Sequence, residues 1–488
     1  MNLSMIRYIL GSVLAMEGLL MLPAAAVGYW YGEISQAAVF LIVGCTTFLL
    51  GLMFRWKKPE NGVFYLKEGC VSTALCWIVM SIMGGLPFVL TGEIPAFTDA
   101  MFETVSGFTT TGASILTDVE ALCHASLFWR SFTHWVGGMG VLVFLLAVLP
   151  MGGGSNMNLM RAESPGPSVG KLVPKVRHTA RILYIIYIVM TLIQIVLLLL
   201  GGMDLFDAAT LSFGTAGTGG FGIKNSSIGG YNVYCQWVIG IFMVLFGINF
   251  NAFYFLTIRH FRDAFSMEEV RAYLLIIAAA VAVIFINILE MCQGAFDALT
   301  KAFFQVASII TTTGYATTDF DLWPTTSKFV LVLLMFVGAC AGSTGGGIKV
   351  SRFLIAGKTI LKEFGAYVHP KSIKKIQLDS KPIEHEVVRS TNVYFMTYLM
   401  LFALLLFLIT FEGLDLVSSF TAVAATFNNI GPGLAAVGPT CSFAGFSLFG
   451  KWVLIFAMLA GRLELFPMLL LFAPSIWKKR KVPAKRIV

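Results

Sequence analysis

Thr109-Thr110-Thr111-Gly112 ends a short amphipathic run, residues 97–108, and the same construction returns three more times along the chain. In each copy a small residue is followed twelve positions later by a glycine. The other copies end at Gly217-Thr218-Gly219-Gly220, Thr311-Thr312-Thr313-Gly314 and Asn428-Asn429-Ile430-Gly431. The final glycines are 108, 94 and 117 residues apart. We therefore interpret the chain as four copies of one unit of about a hundred residues.

The composition indicates a protein that lies mostly in a membrane. Hydrophobic residues make up 57% of the 488 positions, charged residues make up 12%, and the mean hydropathy is +0.82. A soluble globular domain could not bury that many apolar side chains. Runs of about 20 apolar residues, enough to cross about 30 Å of hydrocarbon, predict ten spans, near residues 6–31, 36–54, 69–91, 126–150, 180–201, 231–257, 271–292, 327–357, 391–411 and 447–474.

The first apolar run has some features of a cleaved signal peptide, because Arg7 precedes it and Pro23-Ala24-Ala25-Ala26 lies within it. The run continues to Tyr31, however, which is longer than a usual signal core. We therefore expect a retained helix, which pairs with the next span outside the four repeats.

Basic residues predict the orientation of the spans. All but six of the 34 lysines and arginines lie at Arg7, near 55–67, 161–181, 259–271 and 349–389, or in the tail 478–486. Because cytoplasmic loops hold such an excess, we expect these segments and both termini in the cytoplasm. The net charge of +8 then reflects topology and does not indicate nucleic acid as a partner.

Acidic residues are enriched on the opposite, outer side. Two interpretations are open at this point. The acids form a vestibule that concentrates cations, or they simply solvate the outer loops. Among them are Glu93, Asp99, Asp118, Glu120, Asp204, Asp207, Asp297, Asp319, Asp321 and Asp415.

Each repeat follows one plan: an apolar span, a short half-apolar segment that ends in the glycine motif, and a second span. The middle segment, about 12 residues, is too short to cross a bilayer as a helix. It must enter and return, and irregular backbone is tolerated at membrane depth where it is buried in protein or lines an aqueous cavity. Basic loops precede and follow every unit, so the repeats are parallel and not inverted.

These features predict an all-α polytopic membrane protein. We expect an N-terminal helix pair, residues 1–66, followed by four parallel repeats of membrane helix, pore loop and membrane helix around a pseudo-fourfold pore. The predicted repeats cover residues 67–160, 161–262, 263–365 and 366–488.

The chemistry of the repeated segment favours a monovalent cation. A glycine can adopt a positive φ and bring backbone carbonyls close to a narrow axis. Rings of carbonyl oxygen replace the hydration shell of potassium in channels, and we expect threonine hydroxyls to add further ligands. None of the four segments carries a carboxylate, which argues against a divalent site. The alternative is that each glycine merely ends its short helix, but four matched copies disfavour it. We call 109–112, 217–220, 311–314 and 428–431 the filter segments.

At this point the chain resembles the Trk/Ktr/HKT superfamily of potassium transporters, and most of all its bacterial TrkH branch. The likeness covers nearly the whole chain, including the N-terminal helix pair. Besides the filter segments, the stretches that carry it are His134-Trp-Val-Gly-Gly-Met-Gly140, Arg161-Ala-Glu-Ser-Pro-Gly166, Gly338-Ala-Cys-Ala-Gly-Ser-Thr-Gly-Gly-Gly-Ile-Lys349, Asn428-Asn-Ile-Gly-Pro-Gly-Leu434 and Ala460-Gly-Arg-Leu-Glu464.

The resemblance implies a potassium filter formed by the four repeat glycines and the residues just before them. Glycine at Gly112 is similar to the potassium-selective members, whereas sodium-preferring plant relatives carry serine there. The second segment is richer in glycine than is usual in the family, which predicts a less rigid filter. The implied potassium ligands are Thr110, Thr111, Gly112, Thr218, Gly219, Gly220, Thr312, Thr313, Gly314, Asn429, Ile430 and Gly431.

Residues 338–347, the glycine-rich loop, interrupt the apolar run 327–357 with five glycines. Each glycine costs a helix about 1 kcal/mol relative to alanine, so this segment should unwind below the filter. The resemblance implies that it gates the pore, through Gly342, Ser343, Thr344, Gly345, Gly346 and Gly347. Its likeness to a phosphate-binding loop is superficial, because Ile348 separates the last glycine from Lys349 and no strand precedes it.

Charged residues near the middle of predicted spans include Arg462 and Glu17. Arg462 lies in the last span, where a charge costs about 2.5–3.5 kcal/mol on insertion scales. The resemblance implies a pore-facing barrier to cations; the alternative is an ion pair between helices, for which Glu464 is a poor partner because residues two apart on a helix diverge. For Glu17, in the first span, we expect structural pairing.

The sequence gives little support to an enzyme. The six histidines are far apart and form no metal or catalytic motif, and His134 is expected to pack or hydrogen-bond between helices. The eight cysteines read as small buried hydrophobes. We expect no cofactor, with the potassium ion as substrate.

The resemblance also implies partners and a location. They are membrane lipid, a second copy in a homodimer, and a cytosolic TrkA-type subunit through which any nucleotide would act, in a bacterial cytoplasmic membrane. Candidate docking surfaces are the loop 358–389 and the tail 478–488. A weakly selective sodium/potassium pathway, and more remotely an intramembrane enzyme or receptor, are the alternatives, and symport and passive transport are both open.

Overall fold

The computed structural model describes residues 1–59, 65–140, 176–371 and 375–477. It confirms an all-α membrane protein with the expected order of elements. The motif at Arg161–Gly166, the end of the predicted span 126–150 and the tail 478–488 lie outside the described residues.

The N-terminal helices form the expected pair. α1 (Leu3–Leu20) and α2 (Leu22–Trp30) together make one span, and α3 (Ile34–Arg55) returns beside it. Small residues let the two spans approach closely. A Cβ placed on Gly18 would lie 2.5 Å from the carbonyl oxygen of Gly44. The pair stands outside the repeats, as predicted.

Each repeat contains a membrane helix, a short pore helix and a second helix. The first repeat has α4 (Leu66–Thr91), α5 (Phe97–Phe108) and α6 (His124–Gly138). The second has α7 (Val176–Leu200), α8 (Leu205–Gly217), α9 (Val233–Phe246), α10 (Phe250–Thr257) and α11 (Phe261–Ser266). The third has α12 (Glu268–Ile288), α13 (Ala295–Ile310), α14 (Thr325–Val337) and α15 (Val350–Val368). The fourth has α16 (His385–Ile409), α17 (Leu416–Phe427), α18 (Leu448–Arg462), α19 (Phe466–Leu471) and the short α20 (Pro474–Trp477).

A small hairpin separates the third and fourth repeats. Strand β1 (Gln377–Leu378) pairs antiparallel with β2 (Lys381–Pro382). The side chain of Asp379, in its turn, accepts from the backbone N–H of Glu268 at 2.7 Å. The hairpin therefore packs against the first turn of α12.

The second helices depart from the prediction of unbroken spans. Within the described ranges six helices are long and apolar enough to cross a membrane, seven if one bent pair is counted, where ten spans were expected. The predicted span 231–257 is bent by 93° between α9 and α10. The predicted span 447–474 breaks at Glu464 and Leu465, both with positive φ. The break in 327–357 at the glycine-rich loop was expected.

These breaks are tolerated because the backbone groups that they free can find hydrogen-bond partners. A bent helix leaves backbone groups free, and such groups are tolerated at membrane depth where protein or water satisfies them. The break before α10 is satisfied in this way: the N–H of Phe250 donates to the carbonyl oxygen of Gly342 at 3.0 Å. The broken helices thus lie against the glycine-rich loop, at the centre of the molecule.

Candidate ion pathway

The four filter segments share one backbone conformation although their residues differ. The final glycines have φ values of 78°, 83°, 86° and 99°. Two positions earlier, Thr110, Thr218, Thr312 and Asn429 have φ values of 55°, 54°, 58° and 57°. Positive φ is costly for residues with a side chain, so its recurrence at the same two positions is a property of the repeat and not of one helix end.

The segments also close into a ring. Each filter glycine lies directly against the carbonyl group that precedes the filter glycine of the next repeat. A Cβ on the glycine would lie 2.1 Å (Gly112 to Gly219 O), 1.9 Å (Gly220 to Thr313 O), 1.9 Å (Gly314 to Ile430 O) and 2.8 Å (Gly431 to Thr111 O) from that oxygen. The contacts run from the first repeat through the fourth and back to the first. No side chain fits at these positions, which explains why all four are glycine.

A cavity of about 450 Å³ opens on one side of the ring. All four filter glycines line it, together with the segments that follow them in the chain. The structure therefore brings the four predicted segments to one place, at the floor of one shared cavity, which we call the vestibule.

Several threonine hydroxyls of the filter segments form hydrogen bonds within the protein. The hydroxyl of Thr111 lies 2.8 Å from that of Thr109 and accepts from the side-chain amide of Asn429 at 2.9 Å. The hydroxyl of Thr313 lies 2.8 Å from that of Thr311. These groups hold the segments against their pore helices, because hydroxyls compete for nearby backbone and side-chain partners. The backbone carbonyls remain as the oxygens of the ring.

The glycine-rich second segment is held from behind by a side chain. A Cβ on Gly219 would lie 2.1 Å from Cγ of His134, so the imidazole ring covers that residue. Nδ1 of His134 donates to the carbonyl oxygen of Gly107 at 2.7 Å, and Nε2 accepts from the N–H of Phe221 at 3.2 Å. His134 is therefore a packing and hydrogen-bonding residue, as predicted, and the expected loss of rigidity in the second segment is offset by it.

A buried ion pair that sequence reasoning missed supports the rim of the ring. Arg130 and Glu103 lie 2.7 Å apart and are both almost fully buried. Arg130 also donates to the carbonyl oxygen of Gly222 at 3.1 Å, and Glu103 accepts from Ser114 and from the N–H of Ile115. The pair thus fixes the backbone just beyond the first and second filter glycines. A glutamate inside a pore helix was the available signal for it.

Four of the outer acids hold pore helices in place. Asp204 and Asp415 cap α8 and α17 through their first N–H groups, and the hydrogen bonds from Ser418 lower the pKa of Asp415. Asp99 accepts from Lys451 at 2.7 Å, and Asp297 accepts from Lys301 at 2.7 Å. Both earlier interpretations are incomplete, since a capping role at helix N-termini was weighed in neither.

On the other side of the ring, the glycine-rich loop lies directly against the filter. The N–H of Gly346 donates to the hydroxyl of Thr312 at 2.6 Å. A Cβ on the same glycine would lie 2.6 Å from the carbonyl oxygen of Asn428. The loop therefore contacts the third and fourth filter segments, in the position expected of it.

Charged side chains fix the loop from several directions. The carboxylate of Glu269, in the first turn of α12, accepts from the N–H of Ala341 at 2.6 Å and from that of Ser351 at 3.1 Å. The buried ammonium of Lys349 donates to the carbonyl oxygen of Gly345. Sequence reasoning did not identify Glu269 as part of the site, because it lies in a stretch that the topology assigned to a basic loop.

Arg462 bridges the loop and the first repeat. Its guanidinium donates to the carbonyl oxygens of Thr344 (3.0 Å), Gly137 (2.6 Å) and Gly138 (2.8 Å). Glu464 forms an ion pair with Arg352 of α15, and the guanidinium of Arg352 also lies 3.8 Å from the ring centroid of Tyr394. The structure therefore places Arg462 between the glycine-rich loop and the end of α6, and it places Glu464 in an ion pair with Arg352.

Glu17 does not have the partner we expected. Its carboxyl group is fully buried, and both oxygens are without a hydrogen-bond partner in the part of the chain that the structure describes. It lies beside Gly84 of α4, behind the first pore helix. The prediction of structural pairing was wrong.

Within the described ranges no cluster of three or more His, Cys, Asp or Glu residues could hold a metal ion. Four of the eight cysteines are buried, whereas Cys45 and Cys441 are exposed, so the prediction of buried cysteines holds for only some of them.

Known proteins resemble this chain over nearly its whole length. The profile of a family described as "TrkH: Cation transport protein" matches residues 36–479. The "Trk system potassium uptake protein TrkH" of Escherichia coli (strain K12) is 36% identical over 441 residues, which cover 88% of this chain and 90% of that protein. The protein of the same name in Halomonas elongata is 33% identical over 487 residues, 98% of this chain and 100% of that protein.

A solved structure is similar as well. The crystal structure of "the Potassium Transporter TrkH from Vibrio parahaemolyticus" matches with a TM-score of 0.87 and 32% sequence identity. The match covers 98% of this chain and 100% of that one.

Proposed function

The chain belongs to the TrkH family of cation transport proteins, and from that premise we propose that it takes up potassium through the ring of backbone carbonyls at its centre. Its relatives are named as potassium uptake proteins, and it is a transport protein, not an enzyme. One observation carries the proposal: four filter glycines, each against the carbonyl group of the next repeat, close one ring around one vestibule.

The ring supplies what a potassium ion needs when it leaves water. Carbonyl oxygens of Thr111, Gly219, Thr313 and Ile430 stand in for its hydration shell, as in potassium channels. Because the filter segments contain no carboxylate, the electrostatic field of the carbonyl oxygens suits a monovalent cation. The proposed ligands remain those given above, with the backbone oxygens of Thr111 and Thr313 in place of their hydroxyls.

The glycine-rich loop is the proposed gate. It lies against the filter on the side away from the vestibule, and Arg462 and Lys349 hold its carbonyl groups. Two positive side chains below the ring raise the local potential against cations. An ion that has crossed the filter therefore meets a loop and a positive field, and flux requires both to move aside.

Regulation and assembly are proposed on the family resemblance. The termini and basic loops face the cytoplasm of a bacterial cell, the protein works as a homodimer, and a TrkA-type subunit carries any nucleotide. The described part of the loop 358–389 supports this, because α15 runs without a break from the glycine-rich loop into it. A partner that pulls on α15 would move the gate.

Growth and flux measurements test the proposed function. The chain is expressed in a bacterium that lacks potassium uptake, and it should restore growth at low potassium and carry rubidium into proteoliposomes. Gly112→Ser, whose Cβ would meet the carbonyl oxygen of Gly219, should lower the ratio of potassium to sodium flux. Gly357→Ser is the matched control, because nothing lies within 4 Å of its Cβ position. Absence of rubidium flux in inserted wild-type protein would refute the function.

A further inference from the structure

At the position just before the filter glycine, the second repeat differs from the other three. Three repeats carry a side chain there, Thr111, Thr313 and Ile430, and all three are buried. The second repeat has Gly219. A bare glycine at this position would leave a gap behind its carbonyl group, and it would leave that part of the ring free to move.

The imidazole of His134 fills this gap. A Cβ on Gly219 would lie 2.1 Å from Cγ, 2.3 Å from Nδ1 and 2.4 Å from Cδ2 of His134, so the imidazole ring lies flat against the backbone of Gly219. His134 is fully buried and lies in the last third of α6, in the first repeat. The second filter segment is thus completed by a side chain from another repeat.

Both ring nitrogens are fixed, and by the neighbouring parts of the filter. The carbonyl oxygen of Gly107 can only accept, so Nδ1 carries the hydrogen. The N–H of Phe221 can only donate, so Nε2 is unprotonated. Gly107 lies on the first pore helix and Phe221 follows the second filter glycine. The imidazole therefore fixes the first and second segments relative to each other in one tautomer.

The backbone conformation does not by itself explain the glycine. Gly219 is not among the residues with positive φ, so an alanine could adopt its conformation. What excludes a side chain is the ring of His134. The carbonyl group of Gly219 is also the one against which Gly112 lies, so a shift of this glycine changes the width of the ring itself.

We propose that His134 is a specificity-determining residue of the filter, which supplies across repeats the side chain that the second segment lacks. The inference rests on the proposed function of the ring. A residue that only stabilised the fold would change the amount of transport and leave the ratio of ions unchanged. His134 is expected to change the ratio.

The test compares His134→Ala, Gly219→Ala and the double variant in proteoliposomes, with potassium and sodium fluxes measured separately. His134→Ala should lower the potassium-to-sodium ratio about tenfold, which corresponds to about 1.4 kcal/mol. The Gly219→Ala variant should lose most of its ion flux, because the added Cβ would meet the imidazole ring of His134. The double variant should transport more than Gly219→Ala and select better than His134→Ala, since the new methyl group occupies part of the vacated space.

Gly365→Ala is the control for added volume, because nothing lies within 4 Å of its Cβ position. A wild-type ratio in His134→Ala, or normal flux and ratio in Gly219→Ala, would overturn the inference. If His134→Ala does not insert as folded protein, Gly219→Ala and His134→Gln decide in the same way, since both alter the contact. Failure of the proposed function would look different, because the wild-type protein itself would then show no preference for potassium.

Discussion

The hydroxyl oxygen of Thr312 accepts a hydrogen bond from the backbone N–H of Gly346 at 2.6 Å, and this bond joins the third filter segment to the glycine-rich loop. The two groups come from the same repeat, 34 residues apart. The loop cannot leave the third filter segment without breaking this bond.

Replacing Thr312 with valine should raise potassium flux. Valine keeps the branched shape but leaves the buried N–H of Gly346 without an acceptor, at a cost of about 1–3 kcal/mol. That cost should raise the ratio of displaced to filter-bound loop by a factor of roughly 5 to 150. Rubidium uptake into proteoliposomes measures the effect, with Thr359→Val on α15 as control. Unchanged or reduced uptake by inserted Thr312→Val would argue against a gate at this place.

Glu269 offers a graded test of the same gate. Glu269→Ala removes the acceptor of two N–H groups, those of Ala341 and Ser351, and should raise rubidium uptake. Glu269→Gln keeps one side-chain oxygen in the same place and should stay close to wild type. Equally raised uptake in the two variants would show that the charge of Glu269, and not its hydrogen bonds, holds the loop.

The ion pair of Arg352 and Glu464 should hold α15 against the break in the last span. Removing one partner of a buried pair is more costly than removing both. Arg352→Gln should therefore lower the thermal midpoint in detergent more than Arg352→Gln with Glu464→Gln does, and the pair should show a coupling energy of about 0.5–3 kcal/mol. Arg389→Gln, at an exposed position, is the control. Additive losses would mean that the two side chains act independently.

Arg462 should restrain flux through its charge. Arg462→Gln keeps hydrogen-bond donors near the carbonyl oxygens of Thr344 and Gly137 but removes one of the two positive charges below the filter. We expect higher potassium conductance in single-channel recordings, with the potassium-to-sodium ratio close to wild type. Lower conductance in a folded variant would indicate that the guanidinium serves to build the pore and not to obstruct it.

The repeat and its ring were predictable from the sequence for a simple reason. Each copy carries its own signal, a glycine twelve residues from a small residue, and apolar periodicity places it between spans. The last residue of each filter segment is a glycine because the carbonyl group of the neighbouring repeat leaves no room for a Cβ. Local composition thus records a contact between repeats.

The supporting contacts were not predictable in the same way. Ala341 and Glu269 are 72 residues apart, and Arg352 and Glu464 are 112 apart. No spacing rule connects such residues, because packing of broken helices brings them together. The bend between α9 and α10 was missed for a related reason: Asn249 caps α10 and Phe250 donates to the carbonyl oxygen of Gly342, so the polar residue and the tertiary contact end the apolar helix.

Anomalous diffraction from crystals grown in rubidium or thallium tests the central claim most directly, because it locates the ion without reference to any variant. We expect a peak on the axis of the ring, surrounded by the carbonyl oxygens of Thr111, Gly219, Thr313 and Ile430. An ordered ring with no anomalous peak inside it, and a peak elsewhere in the protein, would contradict the account.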